Sequence, residues 1–141
     1  MPEFTVDDSL IDTDEGKERV ERALGELGRG VVTSLDPGLN DFLFSLKRDK
    51  GMPPGFDQWQ LPVKLGGDGK STLFFLSVVQ PGAIVPNHHH SRALFRVVVS
   101  GSIILGDGRV LKAGDWMYVP AGEDYSFRGG LNPGAIVYHC Y

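Results

Sequence analysis

The stretch PGAIVPNHHHSRALFRVVVSG, residues 81–101, decides the reading of this 141-residue chain. Two apolar segments, AIVPNHHH (83–90) and ALFRVVV (93–99), lie between the turn dipeptides Pro81-Gly82 and Ser100-Gly101. Short runs of Val, Ile and Phe closed by Pro-Gly and Ser-Gly predict strands joined by turns. Side chains of a strand alternate between its two faces, so His88 and His90 share one face and His89 takes the other. The same alternation puts Arg96 on the face of Leu94. Two imidazoles turned inward cost desolvation unless something uses them, which makes His88 and His90 the first candidates for a site.

The pattern continues in both directions. Downstream come SIIL, Gly106-Asp107-Gly108, RVLK, Ala113-Gly114, DWMYVP, DYSFRG, the tight loop Gly129–Gly134 and AIVYHCY. Upstream come STLFFLSVVQ, Gly66-Gly67-Asp68-Gly69, WQLPVKL, Met52-Pro53-Pro54-Gly55, FLFSLKRD, Asp36-Pro37-Gly38 and VVTSL. About ten strands at this spacing predict an all-β sandwich or barrel. Nineteen glycines and nine prolines spread along the chain agree with many turns and disfavour a helical fold. The strands of Tyr125 and His139 flank one tight loop and are predicted to pair as a hairpin. Residues 1–13 read as a loose arm, and 14–27 as a short amphipathic helix with Val20, Leu24 and Leu27 at i, i+4 and i+7. The expected division is an arm and helix over 1–30 and one β-barrel domain over 31–141.

Composition narrows the function classes. Nine of the eighteen carboxylates fall in residues 1–26 against three basic residues, so the body of the chain is close to neutral. No broad basic face is left for a phosphate backbone, and nucleic acid is not an expected partner. No apolar run is long enough to span a membrane, and the acidic N-terminus is unlike a secretory signal; the chain is read as soluble and cytoplasmic. The single Cys140 cannot form an internal disulfide, and no Cys-x-x-Cys exists, so a metal site would rest on the four histidines and the carboxylates.

Two motifs within residues 59–141 resemble those of the cupin superfamily. The first family pattern, Gly-x5-His-x-His-x3-4-Glu-x6-Gly, is met by Gly82, His88, His90 and Gly101, with Leu94 at the Glu position. The second, Gly-x5-Pro-x-Gly-x2-His-x3-Asn, is met by Gly114, Pro120 and Gly122, with Tyr125 for the His and Gly129 for the Asn. The resemblance implies a single cupin-type double-stranded β-helix, or jelly-roll, barrel and a homodimer. In metal-bearing relatives it also implies a lumen ion (Fe, Ni, Mn, Cu or Zn) held by three His and a Glu. Here only His88 and His90 carry over, and catalytic metal sites usually need a third protein ligand. His139, Tyr125, Cys140 and the Glu123-Asp124 pair are the candidates, with His139 foremost; alternation lets only one of His139 and Cys140 face inward.

Three readings of function follow. In the first, His88, His90 and His139 hold a divalent metal for dioxygenase-like or Lewis-acid isomerase or lyase chemistry. In the second, resembling the family's epimerases, isomerases and cyclases, a histidine and Tyr125 act as base and acid without metal. In the third, the barrel binds a ligand without transforming it. Tyr125 is read as proton donor, phenolate ligand or rim hydroxyl. Either Arg96 meets an anion in the lumen, such as a substrate carboxylate or enolate, or the strand is bulged there, or Arg96 salt-bridges a neighbour across an interface. Trp59, Phe75, Trp116, Tyr118 and Phe127 are expected in core or pocket wall, so the substrate is expected to be an anionic or aromatic small molecule.

Overall fold

The computed structural model describes residues 52–61, 63 and 74–141, together with Glu18, Glu21, Arg22, Gly25, Gly30, Val31 and 33–35. Eight strands are found among these residues: β1 (Phe56–Gln60), β2 (Phe74–Val79), β3 (Ile84–His88), β4 (Leu94–Leu105), β5 (Val110–Lys112), β6 (Trp116–Val119), β7 (Tyr125–Gly129) and β8 (Ala135–Cys140). All pairings are antiparallel. β4 carries the architecture. Its first half pairs with β8 on one side and β6 on the other, and β8 continues the sheet to β2 and β1. Its second half pairs with β5 and with β7, which continues to β3. One strand therefore belongs to both walls of a curled sheet.

Three sequence expectations are corrected here. Ser100-Gly101 is not a turn between two strands. β4 runs straight through it, with a register shift between Val98 and Ser100 and a positive φ of 71° at Gly101. The long strand can bend from one wall to the other because glycine tolerates this conformation and because a Cβ at Gly101 would collide with the Gly134 carbonyl oxygen. The strands of Tyr125 and His139 do not form a hairpin: β7 and β8 pair with opposite halves of β4, so the Gly129–Gly134 loop crosses between walls. VVTSL is not a strand at its described positions, since Val31, Thr33, Ser34 and Leu35 are exposed bend, coil and turn. The Thr33 hydroxyl accepts the Leu35 amide at 3.2 Å, a local bond that competes with sheet pairing.

The segment FLFSLKRD and the stripe Val20, Leu24 and Leu27 lie outside the described residues. Glu18, Glu21, Arg22 and Gly25, the described part of the expected helix, are helical and exposed. Among the described residues no helix is long and apolar enough to cross a membrane.

Inward-facing side chains form rows across the larger wall, and their character changes from one end to the other. Phe56, Val79 and Ala135 lie side by side in register. They belong to the apolar core with Val85, Val98, Ile103, Phe127 and Val137. The next row joins Gln58, Ser77 and Val137. The row after that runs Gln60, Phe75, His139, Arg96, Met117 across β1, β2, β8, β4 and β6. Burial of the apolar rows, at roughly 25 cal/mol per Å² removed from water, drives closure. The polar row is what that closure positions.

Candidate functional site

Opposite the polar row, the smaller wall contributes His88 from β3 and Tyr125 from β7, which are partners in register. His90 follows just past the end of β3 and keeps the inward direction: His88 and His90 are both buried, with ring centroids 4.9 Å apart. His89 points outward, where its Nδ1 lies 3.0 Å from the Asp124 carboxylate in an exposed pair. His139, and not Cys140, is the inward residue of β8. Cys140 is half-buried, and burial pushes its thiol pKa up.

These side chains close around a cavity of about 20 Å³, lined among others by Gln58, His88, His90, Arg96, Tyr125 and His139. It has room for about one water molecule. Its hydrogen bonds run in a definite order. Arg96 Nη1 donates to the Tyr125 hydroxyl at 3.3 Å, and that hydroxyl is 3.0 Å from His90 Nε2. The other nitrogen of the same ring, Nδ1, is 3.2 Å from the Tyr141 hydroxyl. With His90 neutral and Nε2 accepting, Tyr125 donates to His90 and His90 Nδ1–H donates to Tyr141. His88 stands beside this chain. Its Nδ1–H donates to the Pro86 carbonyl at 2.8 Å, which makes Nε2 the lone-pair nitrogen of the neutral ring. Burial, with Arg96 nearby, lowers the His88 pKa to about 4, so the ring is neutral at pH 7.

Arg96 is only 3% exposed, and no carboxylate meets it among the described residues. Its neighbours are the Tyr125 hydroxyl, the Met117 sulfur at 3.9 Å and two aromatic faces, Phe127 at 4.7 Å and Tyr125 at 5.6 Å. The Nε–H finds no acceptor. The strand is not bulged at Arg96, so alternation alone turns it inward. His139 is held differently. It stacks on Phe75 at 5.0 Å, and the Gln58 amide donates to its Nε2 at 3.4 Å.

The donor set does not fit a three-histidine metal centre. Leu94, in the family's Glu position, is a buried core side chain. His90 Nε2 faces Tyr125, His139 Nε2 faces Gln58, and a permanent guanidinium cation lines the same cavity. Among the described residues no three His, Cys, Asp or Glu side chains converge to hold an ion. Glu123 and Asp124 are exposed.

Sequence reasoning missed Gln58, Tyr141 and Met117. Tyr141 stands two residues beyond His139, so alternation carried the signal for it; Met117 lies between two aromatic residues, and the sequence does not mark it as the inward one of the three. Trp116 and Tyr118, expected in core or pocket wall, are 62% and 61% exposed and line an open cleft, so they are pocket wall and not core; the more buried residue between them is Met117. Phe75 and Phe127 are buried as expected. Outside Met117 and Tyr125 lies a cleft of about 740 Å³. Tyr125 lines both the cleft and the inner cavity.

Residues 75–134, which hold most of β2 and all of β3 to β7, match the family model described as Cupin domain. Over these residues the chain carries a cupin domain, and its fold is that of the cupin superfamily. Among solved structures, this cupin is similar to an RmlC-like cupin from Shewanella frigidimarina NCIMB 400, with 25% identity, TM-score 0.52, and 67% of this chain and 79% of the other covered. It is also similar to the polyketide cyclase RemF from Streptomyces resistomycificus, with 20% identity, TM-score 0.52, and 62% and 65% covered. A chain of the Rhodobacter sphaeroides SigE complex with the anti-sigma ChrR matches at 18% identity and TM-score 0.55, with 93% and 83% covered. These likenesses establish the cupin fold. No curated protein matches the sequence.

Proposed function

We propose that this cupin is a small-molecule enzyme in which Tyr125 and His90 move a proton to and from a carbonyl compound seated in the cleft, with no metal ion in the proton's path. One observation carries the reading: the buried chain from Arg96 Nη1 through the Tyr125 hydroxyl to His90 Nε2. Within the pair the Tyr125 hydroxyl donates to His90 Nε2, and Tyr125 is the acid. When the Tyr125 proton passes to His90 Nε2, a phenolate oxygen is left facing Arg96. That oxygen is the base, placed to take a proton from the carbon next to a substrate carbonyl. Arg96 Nη1 donates to that oxygen and stabilises the negative charge left on it. Return of the proton to a different atom completes an isomerisation, or leaves an enolate carbon able to attack a second carbonyl in a cyclisation. A positioned acid–base pair of this kind accelerates proton transfer by about a hundred- to ten-thousandfold.

The surroundings support the same reading. Neutral His88 adds no second positive charge beside Arg96. The cleft is large enough for a compound of several carbons, and Tyr125 lines both the cleft and the inner cavity. RemF, to which the fold is similar, is a polyketide cyclase, and that supports the cyclisation side of this reading.

The test is proton exchange followed by NMR in deuterium oxide, with a panel of small ketones and keto acids and chelator-treated protein. Incorporation of deuterium next to the carbonyl is expected for the wild type, and Tyr125→Phe and His90→Gln should each slow it by roughly 100-fold or more. Exchange at the wild-type rate in Tyr125→Phe would overturn the assignment.

A further inference from the structure

Arg96 is a full positive charge placed where its described neighbours offer no negative one. The strand register puts it between His139 and Met117, and its oxygen partner is the Tyr125 hydroxyl. Its buried Nε–H faces no acceptor. A guanidinium presents five donors in a planar fork suited to a carboxylate, and a buried cation without an anion is costly to maintain. The fork lines the inner cavity, which has room for about one water-sized group. Between that cavity and the open cleft stand Tyr125, which lines both, and Met117, which lines the cleft with its sulfur 3.9 Å from Arg96 Nη1. Methionine is unbranched and flexible, so this side chain can swing aside where a β-branched residue could not.

We infer that Arg96 is the binding site for a carboxylate on the substrate, reached from the cleft by displacing Met117. The substrate class is then a small keto acid: the carboxylate docks on Arg96, and the carbonyl and the carbon beside it lie against Tyr125. The inference deepens the acid–base reading and rests on it only for the position of the carbonyl. Met117 sets specificity by closing the route to groups that gain nothing from the guanidinium, since a neutral end group cannot repay its displacement.

Calorimetric titration of the full chain with pyruvate and with methyl pyruvate tests this directly, because the two differ chiefly in masking the carboxylate as a neutral ester. Pyruvate should bind at least tenfold more tightly to the wild type, and Arg96→Gln should abolish that preference. Arg96→Lys, which keeps the charge and loses the fork, should retain part of it and serves where Arg96→Gln does not fold. Equal binding of the two probes, or a preference that survives in Arg96→Gln, would overturn the inference. If the wild type binds neither, Met117→Ala decides: selective pyruvate binding in the opened variant supports the site, and none refutes it. Tight pyruvate binding without deuterium exchange would leave the anion site standing and remove the enzyme reading. Exchange of methyl pyruvate protons with no preference for pyruvate would do the reverse.

Discussion

His88 shows how one residue can be essential to a site by staying uncharged. Its ring is buried against Tyr125 and His90, its Nδ1–H is tied to Pro86, and its pKa falls from 6.5 to about 4 chiefly through burial. The charged groups that also act on it are Arg96 and His89, which lower the value, and Asp124, which raises it. Between pH 6.5 and 4 the unfolded chain binds a proton at this position and the folded chain does not, so stability falls as pH falls across that window. Below about pH 4 the contribution is flat. The full effect is on the order of 3 kcal/mol at 1.36 kcal/mol per pKa unit. Denaturant unfolding at pH 7, 5.5 and 4 should show it, and His88→Phe should flatten the slope; a wild type whose stability rises toward pH 4 would contradict the buried, neutral ring. Much at this scale was legible from sequence, because alternation separates His88 and His90 from His89 and the cupin resemblance says which face looks into the lumen. The direction of Arg96 followed from the same rule. Which of His139 and Cys140 faces the lumen did not, since neighbouring residues in a strand differ only by register and both are plausible inside.

Among the elements, β4 holds the two walls together, and Gly101 is the point at which it bends. Replacing Gly101 by alanine forces a Cβ into the Gly134 carbonyl and an L side chain into a positive φ. The loss should be about 3 kcal/mol or more, measured by denaturant midpoint, because both costs act at once. Gly108→Ala makes a fair control for the backbone cost alone: its φ is 94°, yet nothing lies within 4 Å of an added Cβ. Equal losses in the two variants would show that the close passage of the Gly134 loop contributes nothing. The sequence offered Ser100-Gly101 as a turn, and the dipeptide does have turn chemistry. In a sheet that curls, the same conformational freedom bends a continuous strand instead. The reading of β7 and β8 as a hairpin failed for a related reason. A short glycine-rich loop signals a reversal of direction, but not whether the returning strand joins the same wall or the opposite one.

In the whole molecule, the inward rows grade from Phe56, Val79 and Ala135 at one end to Gln60, Phe75, His139, Arg96 and Met117 at the other. The apolar end supplies the burial that closes the barrel, and the polar end is held in place by it. The glycines and proline of the two motifs made that scaffold readable. Leu94 and Tyr125 at two ligand positions left its chemistry open, because a scaffold motif is preserved by sheet geometry whatever the lumen does. The acid–base proposal rests on contacts the sequence could not relate: Gln58 on His139, Tyr141 on His90, and Arg96 on Tyr125. The most direct measurement is the rate of deuterium incorporation into a keto acid by untagged protein, first stripped with chelator and then supplied in turn with Fe(II), Ni(II), Mn(II), Cu(II) and Zn(II). The account predicts an unchanged rate across all six preparations. A rate that vanishes on stripping and returns with one of these metals would contradict it.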